Sequence, residues 1–181
     1  MSQRPTVFEG RVWVLRDRDG RPIDDIDTDM IYHNAHLAVT ELDQMGQYAL
    51  GNLEGYEDFP ARAGPGDLVV AGRNFGAGSS RQQAVDCFVA LGVSALVAES
   101  FGAIYKRNAI NAGFPILEGC GLVDARRADG APWLQTGDRV RLDLVSGELE
   151  LLERGERRQI GTMSQVQLDI YHAGSLFSYV V

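Results

Sequence analysis

Cysteine is scarce in this chain. Only Cys87 and Cys120 occur, far apart and with no CxxC spacing or Cys/His cluster around either. Neither a disulfide framework nor a self-contained zinc or iron-sulfur site is therefore expected, and no metal is assigned to the chain itself. Positive charge is also in deficit, with 17 Lys and Arg against 25 Asp and Glu and a net charge of -8. Such a chain lacks the clustered cations that displace counterions from nucleic-acid phosphates, which disfavours DNA or RNA as a partner. No apolar run approaches the roughly 20 residues needed to span a bilayer. The start MSQRPTVFEG has no apolar stretch of signal-peptide length. A cytoplasmic protein without membrane contact is expected. Internal repeats and low-complexity tracts are absent too.

What remains is the make-up of one ordinary globular domain, and residues 1–181, with 45% hydrophobic and 23% charged side chains, are expected to form it as a unit. Val7 to Asp17 reads as a strand, followed by the turn Asp19-Gly20. The stretch IDDIDTDMIYHNAHLA, rich in Asp and Asn, suits a structured loop better than a regular element. Asp67 to Gly72 and Val93 to Ala98 are short apolar runs of the kind that form buried strands. Between them, Ala84, Val85, Phe88, Val89 and Leu91 recur at helical spacing over Arg81 to Leu91, and Gly92 is positioned to end that helix. Ala103 to Ala112 reads as a second helix closed by Gly113. This alternation implies a parallel βαβ core. Asp138 to Leu144 and Glu148 to Leu152 alternate around Ser146-Gly147 as a hairpin. A last helix starts at the N-cap Ser164 and stops at Gly174. The expected class is mixed α/β.

The most informative stretch is Asn74-Phe75-Gly76-Ala77-Gly78-Ser79-Ser80-Arg81, between a strand and a helix. Glycines let backbone N-H groups approach a ligand, the helix start adds partial positive charge, and Arg81 can hold a carboxylate by two bonds. It is neither a P-loop nor a GxGxxG fingerprint, so a nucleotide is disfavoured. Alternatively Ser79 or Ser80 caps the helix and Arg81 is solvated. The residues of this turn leave both open. A second loop alternates Asp25, Asp27 and Asp29 with Ile26 and Thr28, a pattern that serves Asx turns or a hard cation. His33 and His36 lie at i, i+3 without a third ligand, and no metal is assigned to them.

Taken together, Asp27-Thr28-Asp29, the serine turn and Ser100-Phe101-Gly102-Ala103-Ile104-Tyr105-Lys106-Arg107-Asn108-Ala109-Ile110-Asn111-Ala112-Gly113 resemble, in order and spacing, the small subunit of 3-isopropylmalate dehydratase. This family belongs to the aconitase superfamily. The likeness runs from about Phe8 to Leu117 and returns at Ala173-Gly174-Ser175-Leu176. It implies a swivelling β/β/α domain that closes over a [4Fe-4S] cluster carried by a separate large subunit, with a small-molecule carboxylic acid as substrate. It also implies Ser79 as catalytic base, with Gly78, Ser80 and Arg81 contacting a substrate carboxylate. The cluster would act as Lewis acid on the leaving hydroxyl. Asp27, Thr28 and Asp29 would position the site loop, with Asn74, Arg107 and Asn108 in support. The isolated subunit would expose a docking face that self-association could cover.

Where the family usually has a proline-containing turn and then Tyr-Leu, this chain reads Tyr32-His33-Asn34-Ala35-His36-Leu37-Ala38-Val39. Ala38 and Val39 offer apolar surface to the substrate's side group, which favours isopropyl or methyl over the extra carboxylate of a homoaconitate. Gln82-Gln83 and Gly102-Ala103 also depart from the common pattern. The expected reaction is the interconversion of 3- and 2-isopropylmalate, a step of leucine biosynthesis. Related acids such as 2,3-dimethylmalate, a citramalate-type acid or homoaconitate are the alternatives, and so is a non-catalytic carboxylate-binding module.

Overall fold

The computed structural model describes residues 4–179. Its strands are β1 (Val7–Val14), β2 (Leu68–Ala71), β3 (Ala95–Ala98), β4 (Ile116–Glu118), β5 (Arg139–Asp143), β6 (Glu148–Leu151) and β7 (Glu156–Gln159). Its helices are α1 (Thr28–Ile31), α2 (Leu42–Met45), α3 (Phe59–Arg62), α4 (Gln83–Leu91), α5 (Ala103–Asn111), α6 (Gln165–Ala173) and α7 (Leu176–Tyr179). The strands form one seven-stranded sheet in the order β4-β3-β2-β1-β5-β6-β7.

Strand β1 is the seam between two kinds of pairing. Its first half is antiparallel to β5, with Val7 opposite Asp143 and Arg11 opposite Arg139. Its second half runs parallel to β2, with Val12 opposite Leu68 and Val14 opposite Val70. From there β2, β3 and β4 continue in parallel, while β5, β6 and β7 form an antiparallel meander.

The crossovers β2-α4-β3 and β3-α5-β4 advance the same way across the sheet, and right-handed connections then put both helices on one face. Ala84, Val85 and Phe88 of α4 and Tyr105 and Ala109 of α5 accordingly share a core with Trp13, Leu15, Val69, Ala71, Leu96 and Ala98. The alternate strand residues Val12, Val14, Leu68, Val70, Ala95 and Val97 turn to the other face. There they meet Val140, Leu142, Leu149, Leu151 and Trp133, with Leu168 and Tyr171 of α6. This two-residue alternation leaves β2 and β3 buried on both faces, which is why they read as unbroken apolar runs.

Local signals set the ends of the helices. Gly92 ends α4 in the left-handed region at φ 76, and Ser164 starts α6 with a capping box completed by Gln167. Helix α4 begins at Gln83, two residues after the start expected from its apolar spacing, because Ser79 to Arg81 belong to the turn. The Asp-rich segment is not wholly irregular, for Asp27 caps the single turn α1. Asp67, the one strongly buried carboxylate among the described residues, accepts from Trp13 Nε1 at 2.9 Å, Arg11 Nη2 at 2.7 Å and Gly64 N at 3.1 Å. A charge taken out of water needs such partners.

Candidate active site

Three loops meet beyond the carboxyl ends of the parallel strands, the usual ligand position in open α/β sheets. The turn after β2 is stitched to its neighbours by backbone bonds on both sides. Gly76 N donates to Ile26 O at 2.7 Å and Thr28 N to Ala77 O at 3.0 Å, which ties it to the Asp loop. Phe75 N donates to Ser100 O at 3.0 Å and Gly102 N to Phe75 O at 2.9 Å, which ties it to the loop after β3. Asp27-Thr28-Asp29, the serine turn and the segment from Ser100, separate in sequence, are thus one structural unit.

Two glycines allow this approach. Gly76 has φ +77, and a Cβ there would lie 2.2 Å from Tyr105 Cγ, while a Cβ on Gly102 would lie 2.6 Å from Gly76 O. Of the departure Gly102-Ala103, the glycine is therefore matched to its surroundings. Beside the turn, Asp25 and Asn74 both adopt positive φ, 56 and 54, and Asn74 Nδ2 donates to Asp25 Oδ1 at 2.8 Å. Two side chains that tolerate the left-handed region lock each other there.

The side chains have distinct roles. Asp27 accepts from Asp29 N at 2.9 Å and Met30 N at 2.8 Å, so it builds the loop. Thr28 brings its hydroxyl 3.5 Å from Ser79 Oγ. Ser80 Oγ accepts from Asn108 Nδ2 at 3.3 Å, which links the turn to α5. Arg81 Nη1 donates to Asp29 Oδ1 at 2.9 Å, Thr28 O at 3.2 Å and Tyr32 O at 2.6 Å. Its side chain is only 12% exposed. Nε and Nη2 make no bond among the described residues.

Neither serine caps α4, because the N-cap is Gln82 and makes no side-chain cap bond. Gln82 instead donates to Asp86 at 2.8 Å. Ser79 and Ser80 are exposed, and the backbone N-H groups of Gly78, Ser79, Ser80 and Arg81 find no acceptor among the described residues. Backbone donors left free at a helix start make an anion cradle.

The remaining expected site residues lie further from this chemistry. Arg107 is exposed on α5 and makes no ion pair with the described residues. Ala38 is exposed, whereas Val39 is half-buried and packs against the core, so it offers less free apolar surface than its sequence context implies. His36 stacks on Tyr48 with ring centroids 3.9 Å apart, and His33 Nδ1 accepts from Ala35 N at 3.2 Å. Sequence reasoning missed Asn52, whose Nδ2 donates to Asp29 O at 3.3 Å and Oδ2 at 3.2 Å. Nothing local in GNLEG marks that residue.

Among the described residues no group of three or more His, Cys, Asp or Glu is arranged to hold a metal ion. No helix among them is long and apolar enough to cross a membrane.

The family model of the aconitase C-terminal domain matches residues 25–118, the segment that carries all three loops. The chain belongs to this family. Within it the chain is a small subunit of the isopropylmalate-isomerase type, with the hydro-lyase and isomerase chemistry of that group. The small subunit of 3-isopropylmalate dehydratase from Pyrobaculum calidifontis is 40% identical over 96% of this chain and 97% of its own length. The isopropylmalate/citramalate isomerase small subunit of Methanocaldococcus jannaschii is 32% identical over 97% and 94%. The methanogen homoaconitase small subunit of Methanothermobacter thermautotrophicus is 37% identical over 96% and 90%. A crystal structure of 3-isopropylmalate dehydratase from M. jannaschii superposes with a TM-score of 0.81 at 30% identity, covering 96% of this chain and 93% of that one. The mixed α/β swivel-domain fold expected from the sequence is that of the aconitase-type small subunit.

Proposed function

We propose that this chain is one domain, the small subunit of a two-chain cytoplasmic hydro-lyase that interconverts 3- and 2-isopropylmalate in leucine biosynthesis, with Ser79 as its catalytic base. The observation that carries the proposal is the exposed Ser79 hydroxyl beside Thr28, in a turn whose N-H groups from Gly78 to Arg81 have no protein acceptor. A hydroxyl is a poor base unless its alkoxide is stabilised, and these donors together with the Arg81 charge stabilise one once water is excluded. In the elimination the Ser79 alkoxide takes a proton from the carbon next to the one bearing the hydroxyl, the electron pair of that C-H bond forms the double bond, and the hydroxyl leaves as hydroxide, which the same proton converts to water. Readdition of water in the opposite sense completes the isomerisation. Ser80, the Gly78 N-H and the free nitrogens of Arg81 hold a substrate carboxylate.

An open, exposed turn cannot exclude water by itself, which supports a second chain as the other wall of the site. The described residues do not fit an iron-sulfur cluster, since Cys87 is fully buried with its thiol pushed up by burial and Cys120 stands alone. The [4Fe-4S] cluster of this proposal accordingly belongs to the large subunit. The acid is the finer part of the proposal, because the relatives named above act on isopropylmalate, citramalate or homoaconitate by name. Exposed Ala38 favours a compact apolar substituent.

The test is anaerobic assembly with the cognate large subunit, followed by ultraviolet absorbance of the unsaturated acid. Isopropylmalate, dimethylmalate, citramalate and homoaconitate are compared. Turnover of isopropylmalate above the others supports the proposal. Preference for another acid corrects the substrate alone, and silence across the panel from an intact complex overturns the enzyme assignment.

A further inference from the structure

The opposite region of the sheet carries a second concentration of charge. Arg126, Arg127, Arg157 and Arg158 line a concavity of about 770 Å³ with Trp133, Asp129 and Glu156. Four guanidinium groups around one hollow are unexpected on a chain of net charge -8. The acids there are already engaged, Asp129 with Arg127 at 3.3 Å and Glu156 with Arg154 at 2.8 Å. Arg157 pairs with Glu148 and Glu150, both at 3.4 Å. Arg126 and Arg158 have no carboxylate partner among the described residues. Arg158 instead lies over the ring of buried Trp133, 4.9 Å from its centroid.

Two further observations concern the charge in and beside this hollow. The Nε of Arg127 is buried without a hydrogen-bond partner among the described residues. A buried donor left unpaired is uphill and is ordinarily met by water or a ligand. Arg16 lines the adjoining concavity with Arg126, and its pKa is lowered, first by burial and then by the charge of Arg126, so Arg126 already faces a like charge. An oxyanion beside Arg126 offsets that like charge and offers acceptors to the exposed guanidinium groups of Arg126 and Arg158.

We propose that this concavity binds a small anion carrying two phosphate or carboxylate groups, held by Arg126, Arg127 and Arg158. Two guanidinium groups without a carboxylate match a dianion in charge. The site is separate from the serine turn, because β7 lies four places from β2 in the sheet order, and Trp133 belongs to the core on the other face.

Titration calorimetry on the full chain tests this, with pyrophosphate and malonate as probes and sodium chloride at matched ionic strength as control. Saturable one-to-one binding of either probe is expected, weakened about ten-fold or more by Arg126→Gln and by Arg158→Gln. Both side chains are exposed, and a thermal melt of each variant checks that folding is kept. Pyrophosphate alone identifies a phosphate ligand, malonate alone a dicarboxylate, and either result supports the site. No saturable heat beyond the chloride control overturns the proposal. So does binding that both variants leave unchanged, which would move it to the serine turn. Binding of a polyglutamate peptide but of neither small probe overturns it in favour of a protein partner.

Discussion

Arg81 reaches 52 residues back in the chain to Asp29, its Nη1 lying 2.9 Å from Oδ1, and the same nitrogen also donates to the carbonyls of Thr28 and Tyr32. One guanidinium nitrogen thereby holds the Asp loop against the serine turn, while Nε and Nη2 have no acceptor among the described residues. Arg81→Lys removes this division of labour, because an ammonium is a point donor without a planar fork. A loss of at least about ten-fold in kcat/KM of the assembled enzyme is expected, with a stability loss of roughly 1–2 kcal/mol. Combining it with Asp29→Ala should cost less than the sum of the two single changes, as a denaturant double-mutant cycle measures.

The same pair sets a dependence on pH. Asp29 is held below the ordinary carboxylate range, chiefly by the hydrogen bond from Arg81 against the opposing effect of burial, with the Asn34 N-H and the charges of His33 and Arg81 assisting. A carboxylate depressed on folding contributes stability that is full above its unfolded value, 3.8, and is lost as pH falls through the lower folded value. The gap in thermal midpoint between the native chain and Asp29→Asn should hold steady from about pH 7 to pH 5 and close below the unfolded value. Asp29 is 38% exposed, so added salt should narrow the gap as well.

Asp67 tests the scaffold apart from the site. Asp67→Ala strands the indole N-H of Trp13 and the guanidinium of Arg11, and a loss of about 3 kcal/mol is expected. For a chain of this size that lowers the thermal midpoint by roughly 6–12 °C. Below that midpoint the assembled enzyme should keep its kcat.

Gly76→Ala combines a strained φ with a Cβ driven into the ring of Tyr105. A loss exceeding about 3 kcal/mol is expected, seen as a low yield of soluble chain or a collapsed denaturation midpoint. A smaller response would mean that Tyr105 can move aside.

The parts of the fold legible in the sequence are those with local causes. Short unbroken apolar runs marked β2 and β3, period-3.6 spacing marked α4, and Gly92 and Gly174 marked the ends of α4 and α6. Strands β4 and β7 escaped for opposite reasons. The first is three residues long, and the second is the polar edge segment Glu-Arg-Arg-Gln with no apolar face to betray it. At the site, Ser79, Thr28 and Arg81 were legible as residue types in motifs. Their partners were not: Arg81 meets the carbonyl of Tyr32, Asn108 meets Ser80, and Asn52 meets Asp29, contacts of side chains with distant groups that only the folded chain brings together.

The central claim is that an exposed serine of this subunit completes an active site between two chains. Ser79→Ala in the anaerobically assembled complex tests it most directly, with kcat on isopropylmalate measured beside the thermal midpoint of the variant subunit. A fall in kcat on the order of 10²–10⁴ is expected with the midpoint almost unmoved, because Ser79 is exposed and caps nothing. Turnover within a few-fold of the native complex would contradict it and leave the turn with a structural or binding role alone.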